Sequence, residues 1–163
     1  WDIRAWDLAE KNLLVIGFGR IGSRLVKRAL AFDMKVFVYD PYVDASEIKK
    51  SGANHVNNFL DILPQMDGIS LHCPKNEETT NMFSESEFKI MKESAFLINC
   101  ARGGIINEVA LLDALKYSYS GKDNFNIKRF LLAHEILLSM EGIPAIYIQN
   151  LLGSKNEKWK IMK

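Results

Sequence analysis

Short apolar runs alternate along the chain with segments whose apolar residues recur at helical spacing. The first run, residues 13–16, ends at a glycine, and residues 21–32 then carry an apolar stripe. A second run, residues 35–39, is rich in β-branched and aromatic side chains and stops at Asp40-Pro41. Since proline cannot continue a central strand, the pattern predicts a strand, helix and strand within the first 40 residues.

The same alternation continues to residue 116. Strands that alternate with helices are typical of a parallel sheet covered on both faces. We therefore predict an α/β fold with a doubly wound parallel sheet. Its further strands are predicted at residues 68–71 and 95–99, and its further helices at residues 45–51, 58–63, 85–91 and 107–116.

The composition of the chain changes after residue 116. Residues 117–126 are polar and aromatic with one glycine, which is typical of a loop or a boundary. A helix over about 125–140 and a strand over about 144–148 follow, and the lysine-rich end is expected to fray. We divide the chain into a partial domain, residues 1–116, and a helix-strand tail of different origin, residues 117–163.

Charge and cysteine content exclude several classes of function. The chain has 163 residues with 21 Lys and Arg against 20 Asp and Glu, so no strong field favours nucleic acid or a membrane surface. Two cysteines are too few for a disulfide scaffold and belong to no metal-ligand pattern, which favours a reducing compartment. We expect a cytoplasmic chain, excised or truncated, with no signal peptide, membrane span or metal site.

A glycine-rich turn lies between the first predicted strand and helix. Gly17, Gly19 and Gly22 match G-x-G-x-x-G, in which the glycines allow a tight turn, close approach of a pyrophosphate and close helix packing. The hexapeptide alone is a weak signal, because glycine turns also form for structural reasons. Asp40 lies 18 positions beyond Gly22 at the end of the next strand, and this conjunction favours dinucleotide binding.

Asp40 also predicts which dinucleotide is bound. A carboxylate at this position accepts hydrogen bonds from the adenosine ribose hydroxyls and repels a 2′-phosphate. The next residues, Pro41, Tyr42 and Val43, include no arginine that would hold such a phosphate. We therefore expect NAD rather than NADP. The alternative is that Asp40 is a turn or cap residue, since Asp-Pro is common in turns.

Five ordered motifs together resemble those of one enzyme family. They are Gly17-Phe18-Gly19-Arg20-Ile21-Gly22, Tyr39-Asp40-Pro41-Tyr42, Leu71-His72-Cys73-Pro74 with Thr79-Thr80, Met91-Lys92, and Ile98-Asn99-Cys100-Ala101-Arg102-Gly103-Gly104. In order and spacing they resemble the cofactor-binding domain of the D-2-hydroxyacid dehydrogenases, which include phosphoglycerate dehydrogenase. The resemblance implies a Rossmann-type fold, NAD as cofactor, and hydride transfer to or from a small 2-hydroxy or 2-keto acid.

The resemblance also implies which residues contact the cofactor. Arg20 and Ile21 would lie against the pyrophosphate, and Cys100 and Ala101 beside the nicotinamide. Thr79 would contact the cofactor, although loop solvation explains it equally well. The full cofactor-binding set is Gly17, Gly19, Arg20, Ile21, Gly22, Asp40, Pro41, His72, Cys73, Pro74, Thr79, Cys100, Ala101 and Arg102.

Arg102 resembles the family's catalytic arginine, which clamps the substrate carboxylate and polarises the keto group. A planar, permanently charged guanidinium suits such bidentate capture; the alternative is a surface arginine in a salt bridge. His72 is interpreted as structural, because the family's catalytic histidine and its carboxylate partner belong to later motifs that this sequence does not contain. We therefore expect the chain alone to be catalytically incomplete.

Two alternatives to the dehydrogenase remain open. The chain could be a non-catalytic module that binds NAD or a protein partner. Residues 111–156 resemble a fragment of sucrose-phosphorylase-type members of the α-amylase superfamily, so the second alternative is a fragment of a carbohydrate phosphorylase. The two pieces would then be joined by recombination or by an assembly error. His134, in that segment, is interpreted as a core or boundary residue. The dehydrogenase resemblance further implies a homodimer.

Overall fold

Five parallel strands form one sheet. A computed structural model of the chain describes residues 7–115. The strands lie in the order β3-β2-β1-β4-β5, and every pair of neighbours is parallel. The doubly wound, Rossmann-type sheet predicted from the alternation of apolar runs is therefore confirmed. The strands are β1 (Asn12–Ile16), β2 (Lys35–Tyr39), β3 (Asn54–His55), β4 (Gly68–Leu71) and β5 (Phe96–Asn99).

Helices connect the strands close to the predicted positions. Two short 3-10 turns, Phe59–Asp61 and Leu63–Gln65, replace the predicted helix at residues 58–63, because Pro64 interrupts the segment. Strand β3 was not predicted, since two polar residues carry no hydrophobic pattern. The described α-helices are α1 (Gly22–Ala31), α2 (Ala45–Lys50), α3 (Glu85–Ile90) and α4 (Glu108–Leu115).

The chain divides into two compact units, Trp1–Asn107 and Glu108–Lys163. The first unit contains the whole sheet, and α4 is the described part of the second. The helix predicted at about 125–140 and the strand at about 144–148 lie outside the described residues, as does His134. The domain boundary at residue 116 therefore stays a prediction.

Strand β1 is buried on both faces of the sheet. Leu13 and Val15 belong to one apolar cluster, and Leu14 and Ile16 belong to a second. Because successive side chains of a strand point to opposite faces, each face of β1 packs into its own core. This burial explains why β1 reads as an uninterrupted apolar run instead of an alternating one.

Asp67 joins the amino ends of three neighbouring strands. Its carboxylate accepts hydrogen bonds from the Asn12 backbone N–H (2.9 Å) and from Lys92 Nζ (2.8 Å). Its backbone N–H donates to Asn12 O (2.9 Å), and its carbonyl oxygen accepts from the Phe96 N–H (3.1 Å). Burial acts to raise the pKa of Asp67, but the bonds from Lys92 and Asn12, with the charges of Lys92 and Lys11, lower it overall. The ionised carboxylate therefore stabilises the start of β1, β4 and β5.

We expect Asp67→Ala to lower the free energy of unfolding by about 1–3 kcal/mol at pH 7, because it removes charged hydrogen bonds from a mostly buried site. The loss is measured by urea denaturation of the 163-residue chain. Glu93→Ala, an exposed carboxylate close to Lys92 in the chain, is the control and should change stability by less than about 0.5 kcal/mol.

The difference between Asp67 and Asp67→Ala should also depend on pH. The lowered pKa in the folded state makes the contribution of Asp67 fully present above its ordinary value of 3.8, and it is lost as the pH falls through the lowered pKa. A stability difference that stays constant from pH 7 into the acid range would contradict this assignment.

Candidate functional site

A cleft of about 650 Å³ opens at the carboxyl ends of β1, β2 and β4. Strand order changes direction between β1 and β4, and such a switch point is where open parallel sheets bind ligands. The structure brings eight of the residues predicted to bind the cofactor to this cleft. They are Gly17, Gly19, Asp40, Pro41, His72, Cys73, Pro74 and Thr79.

The three glycines of the turn have different surroundings. Gly17 has φ +97°, and a Cβ there would lie 2.8 Å from both the Cys73 nitrogen and the His72 carbonyl carbon. A Cβ on Gly22 would overlap the Gly17 carbonyl oxygen. A Cβ on Gly19 would meet nothing within 4 Å, so its face is open. Gly17 and Gly22 therefore allow close backbone packing, whereas Gly19 leaves space for a ligand.

Helix α1 begins three residues after Gly19, next to this open face. No side chain caps the helix, and its first turn contains no acidic residue. The uncapped end of a ten-residue helix carries a partial positive charge that favours an anion. Arg20 and Ile21 are exposed at the turn but do not line the cleft, and Gly22 is buried at the start of α1.

Asp40 connects the glycine turn to the loop after β2. Its Oδ2 accepts a hydrogen bond from the Phe18 N–H (2.7 Å), and its Oδ1 accepts one from the Tyr42 N–H (3.0 Å). The alternative role of Asp40 as a turn residue is therefore also present, as its hydrogen bond with the Tyr42 N–H. An ionised carboxylate has about four acceptor positions, so two remain for hydroxyl groups of a ligand in the cleft.

The loop after β4 has its own hydrogen-bond network. Thr79 is buried, and its hydroxyl donates to Pro74 O (2.7 Å) and accepts from the Asn76 N–H (2.9 Å). Asn76 Oδ1 accepts from the Thr79 N–H (2.9 Å). The hydroxyl of Thr79 therefore holds the shape of the loop, while the residue itself lines the cleft.

His72 lines the cleft as a neutral, internally bonded side chain. Its Nε2 lies 2.8 Å from Ser70 Oγ, and its Nδ1 is buried with no hydrogen-bond partner among the described residues. Burial lowers the pKa of His72. These contacts support its structural interpretation. Burial also raises the pKa of the Cys73 thiol, so this cysteine is not an activated nucleophile.

Cys100, Ala101 and Arg102 lie beyond β5 and do not line the cleft. Asn99 shapes this turn, because its Oδ1 accepts from the Ala101 N–H (3.0 Å) and its Nδ2 donates to Arg102 O (2.9 Å). Arg102 is exposed and donates to Ala101 O (2.8 Å), and within residues 7–115 it forms no ion pair. Burial raises the pKa of the Cys100 thiol.

Sequence reasoning missed several residues that line the cleft. Tyr42, Val43, Asn76, Glu78 and Met82 all contribute to its wall. Tyr42 ends the Tyr39-Asp40-Pro41-Tyr42 motif and Asn76 lies between Pro74 and Thr79, so their proximity to the site was available from spacing. Glu78 directly precedes Thr79, but its contact with Tyr42 had no such signal, because the two residues are 36 positions apart in the chain.

Residues 7–115 lack two kinds of feature, a membrane-spanning helix and a cluster of metal ligands. No helix there is long and apolar enough to cross a bilayer. No group of three or more His, Cys, Asp or Glu side chains is arranged to hold a metal ion in this part of the chain.

Comparisons with known proteins agree with the geometry. The model of the family described as D-isomer specific 2-hydroxyacid dehydrogenase, NAD binding domain, matches residues 1–122. D-3-phosphoglycerate dehydrogenase of Methanocaldococcus jannaschii is 40% identical over 119 residues, 71% of this chain and 23% of the relative. Glyoxylate reductase of Thermococcus litoralis is 34% identical over 90% of this chain and 50% of the relative.

A solved structure adds agreement in three dimensions. D-lactate dehydrogenase with NAD+ from Lactobacillus jensenii superposes with a TM-score of 0.64 at 33% identity, over 70% of this chain and 34% of that one. The chain thus spans between about a fifth and a half of the relatives it matches. The resemblance of the tail to sucrose-phosphorylase-type proteins finds no support in these comparisons.

The glycine turn, the uncapped helix and the carboxylate after β2 are therefore the parts of a dinucleotide site on a sheet of matching topology. The chain belongs to the D-isomer specific 2-hydroxyacid dehydrogenase family, and its residues 1–122 match part of that family's NAD-binding domain.

Proposed function

We propose that the protein to which this chain belongs transfers hydride between NAD(H) and a small 2-hydroxy or 2-keto acid. The observation that carries the proposal is the shared position of the cleft and Arg102. The cleft, with its glycine turn, and the exposed Arg102, which follows the adjacent strand β5, lie at the same edge of the sheet. Relatives named for phosphoglycerate, glyoxylate and glycerate support the substrate class, and they leave the individual acid open.

The residues of the cleft fit a dinucleotide. The open face of Gly19 and the N–H groups at the start of α1 would receive the pyrophosphate, with Arg20 and Ile21 beside it. Asp40 would accept hydrogen bonds from the ribose hydroxyls, while Pro41 and the segment from His72 to Pro74 would form the wall around the adenosine. Cys100 and Ala101 would border the nicotinamide, which supplies or accepts the hydride when bound.

Arg102 would bind the substrate carboxylate. Its guanidinium is exposed, and only one donor contact, to Ala101 O, occupies it within the described residues. Turning away from that carbonyl would expose a fork of N–H donors that matches a carboxylate. Asn99 would act as a positioning residue, because it holds the turn on which Arg102 stands.

The proton of the substrate hydroxyl requires a further group. His72 does not supply it, since its Nε2 faces Ser70 and its Nδ1 is buried. We therefore propose that this chain alone binds the cofactor without completing the reaction. The second candidate function is a non-catalytic module that binds NAD, for sensing or for a protein partner. The arrangement of His72 favours this function too, because His72 does not supply a proton. A homodimer belongs to the proposal through the family resemblance, and a cytoplasmic location through the low cysteine content.

We expect the chain to bind NADH more tightly than NADPH, because Asp40 repels a 2′-phosphate. Asp40→Ala should cost about 1.5–3 kcal/mol of NADH affinity, the range for hydrogen bonds to a charged group. Titration of nicotinamide fluorescence measures both affinities. Glu47→Gln, on α2 and outside the cleft lining, removes one negative charge elsewhere and should leave them unchanged. Equal or tighter binding of NADPH by the unaltered chain would refute the assignment of Asp40.

We expect Gly19→Val to abolish NADH binding and to leave the sheet intact. The valine side chain would fill the open face of the turn without touching the core. Calorimetric titration measures binding, and far-UV circular dichroism with thermal melting measures folding. Ala31→Val, a similar enlargement at the exposed end of α1, is the matched control. Retained affinity in a folded Gly19→Val chain would mean that phosphates bind elsewhere.

We expect the 163-residue chain to show no measurable reduction of glyoxylate, pyruvate or hydroxypyruvate by NADH. General acid-base catalysis contributes about 10²–10⁴-fold, and lost substrate orientation removes more. The assay is NADH oxidation at high protein concentration, with Arg102→Ala as control. Turnover that disappears in Arg102→Ala would show that the chain supplies its own proton donor. Turnover by a longer gene product would separate the dehydrogenase from the non-catalytic module.

A further inference from the structure

A hydrogen bond spans the cleft between two loops that are distant in the chain. The Tyr42 hydroxyl donates to Glu78 Oε2 at 2.6 Å. Tyr42 follows β2 and Glu78 follows β4, and both residues line the cleft. The pair therefore connects two walls of the cleft, next to Asp40.

Tyr42 is held at both ends by carboxylates. Its backbone N–H donates to Asp40 Oδ1, and its hydroxyl donates to Glu78. The hydrogen bond to Glu78 is the main cause that raises the pKa of Tyr42, followed by the charge of Glu78, burial, and the charges of Tyr39 and Asp40. Two negative charges thus act on one side chain at the same end of the cleft.

The position of Glu78 is set from two sides. Its neighbour in the chain, Thr79, is buried and bonded to Asn76 and Pro74, which fixes the backbone. The Tyr42 hydroxyl fixes the carboxylate itself. An exposed glutamate would otherwise spread over many rotamers in solvent, so these contacts keep its charge at the cleft.

No positive charge balances these carboxylates along the wall. Among the described residues that line the cleft, none is lysine or arginine, and Asp40 and Glu78 are the two acidic ones. Burial lowers the pKa of His72, the remaining titratable base there. The wall around the predicted adenosine site is therefore negative at neutral pH.

We propose that Glu78, held across the cleft by Tyr42, is a second residue that determines cofactor specificity and disfavours a phosphorylated adenosine ribose. This inference rests on the proposed function, since it requires that the cleft receives the adenosine half of NAD. Asp40 acts by direct hydrogen bonds to hydroxyls, whereas Glu78 acts through its charge at longer range. The 2′-phosphate adds almost two negative charges at pH 7, so it is the group that this charge repels.

The test compares the affinities of NADH and NADPH for the 163-residue chain carrying Glu78→Gln. Glutamine keeps an oxygen that accepts the Tyr42 hydrogen bond and removes only the charge. We expect NADPH affinity to rise about three- to tenfold and NADH affinity to change less than about twofold, as for partly solvated charges several ångströms apart. Screening should shrink the NADPH effect at high ionic strength.

Two further variants identify the cause. Glu77→Gln removes the same charge one position away, from an exposed residue outside the cleft lining, and should not alter the ratio of the two affinities. Tyr42→Phe keeps the ring and frees the Glu78 carboxylate. It should shift the ratio toward NADPH by less than Glu78→Gln does, because the charge remains but no longer has a fixed position.

The outcomes separate this inference from the proposed function. If the chain binds NADH but Glu78→Gln leaves the affinity ratio equal to that of Glu77→Gln, the role of Glu78 is refuted and the NAD site stands. If Glu78→Gln weakens NADH with an unchanged ratio, Glu78 contacts the cofactor in another way and the proposal also fails. If the unaltered chain binds neither cofactor, the proposed function fails and this inference fails with it.

Discussion

The close approach of Gly17 to the end of β4 determines the geometry of the whole site. The space that a side chain would need at Gly17 is occupied by backbone atoms of His72 and Cys73. The Gly17 N–H also donates to Tyr39 O (2.9 Å), and the His72 N–H donates to Ile16 O (2.7 Å). Backbone contacts therefore join the ends of three strands. The side chains that follow each strand, including Asp40, take their positions from this junction.

Asp40 shows how one carboxylate serves both folding and recognition. Its bonds to the Phe18 and Tyr42 N–H groups hold two loops together without any ligand. The Asp40 carboxylate can therefore be a turn residue and a ribose acceptor at once, because the two roles use different lone pairs. A substitution at Asp40 removes both roles together, and a measured loss of binding there includes a contribution from the displaced turn.

Sequence patterns predicted the features of the fold that depend on residues close together in the chain. Strands β2 and β4 match their predicted ranges, because each is a mostly apolar run with clear ends. The turn at Gly17 was recognisable because its conformation depends on glycines close together in the chain. Strand β3 has two polar residues that pair through their backbones with Phe37 and Val38, and no side-chain periodicity reports such pairing. The Tyr42–Glu78 bond joins loops whose proximity exists only after the sheet forms.

The internal bonds of the loop after β4 make the cleft pre-organised. Asn76, Thr79 and Pro74 are already connected to one another, and the loop does not need a ligand to adopt its shape. Ordering a flexible loop on binding would cost conformational entropy that weakens affinity. Here the chain loses that entropy when it folds, and the interaction energy of an arriving dinucleotide is available for affinity.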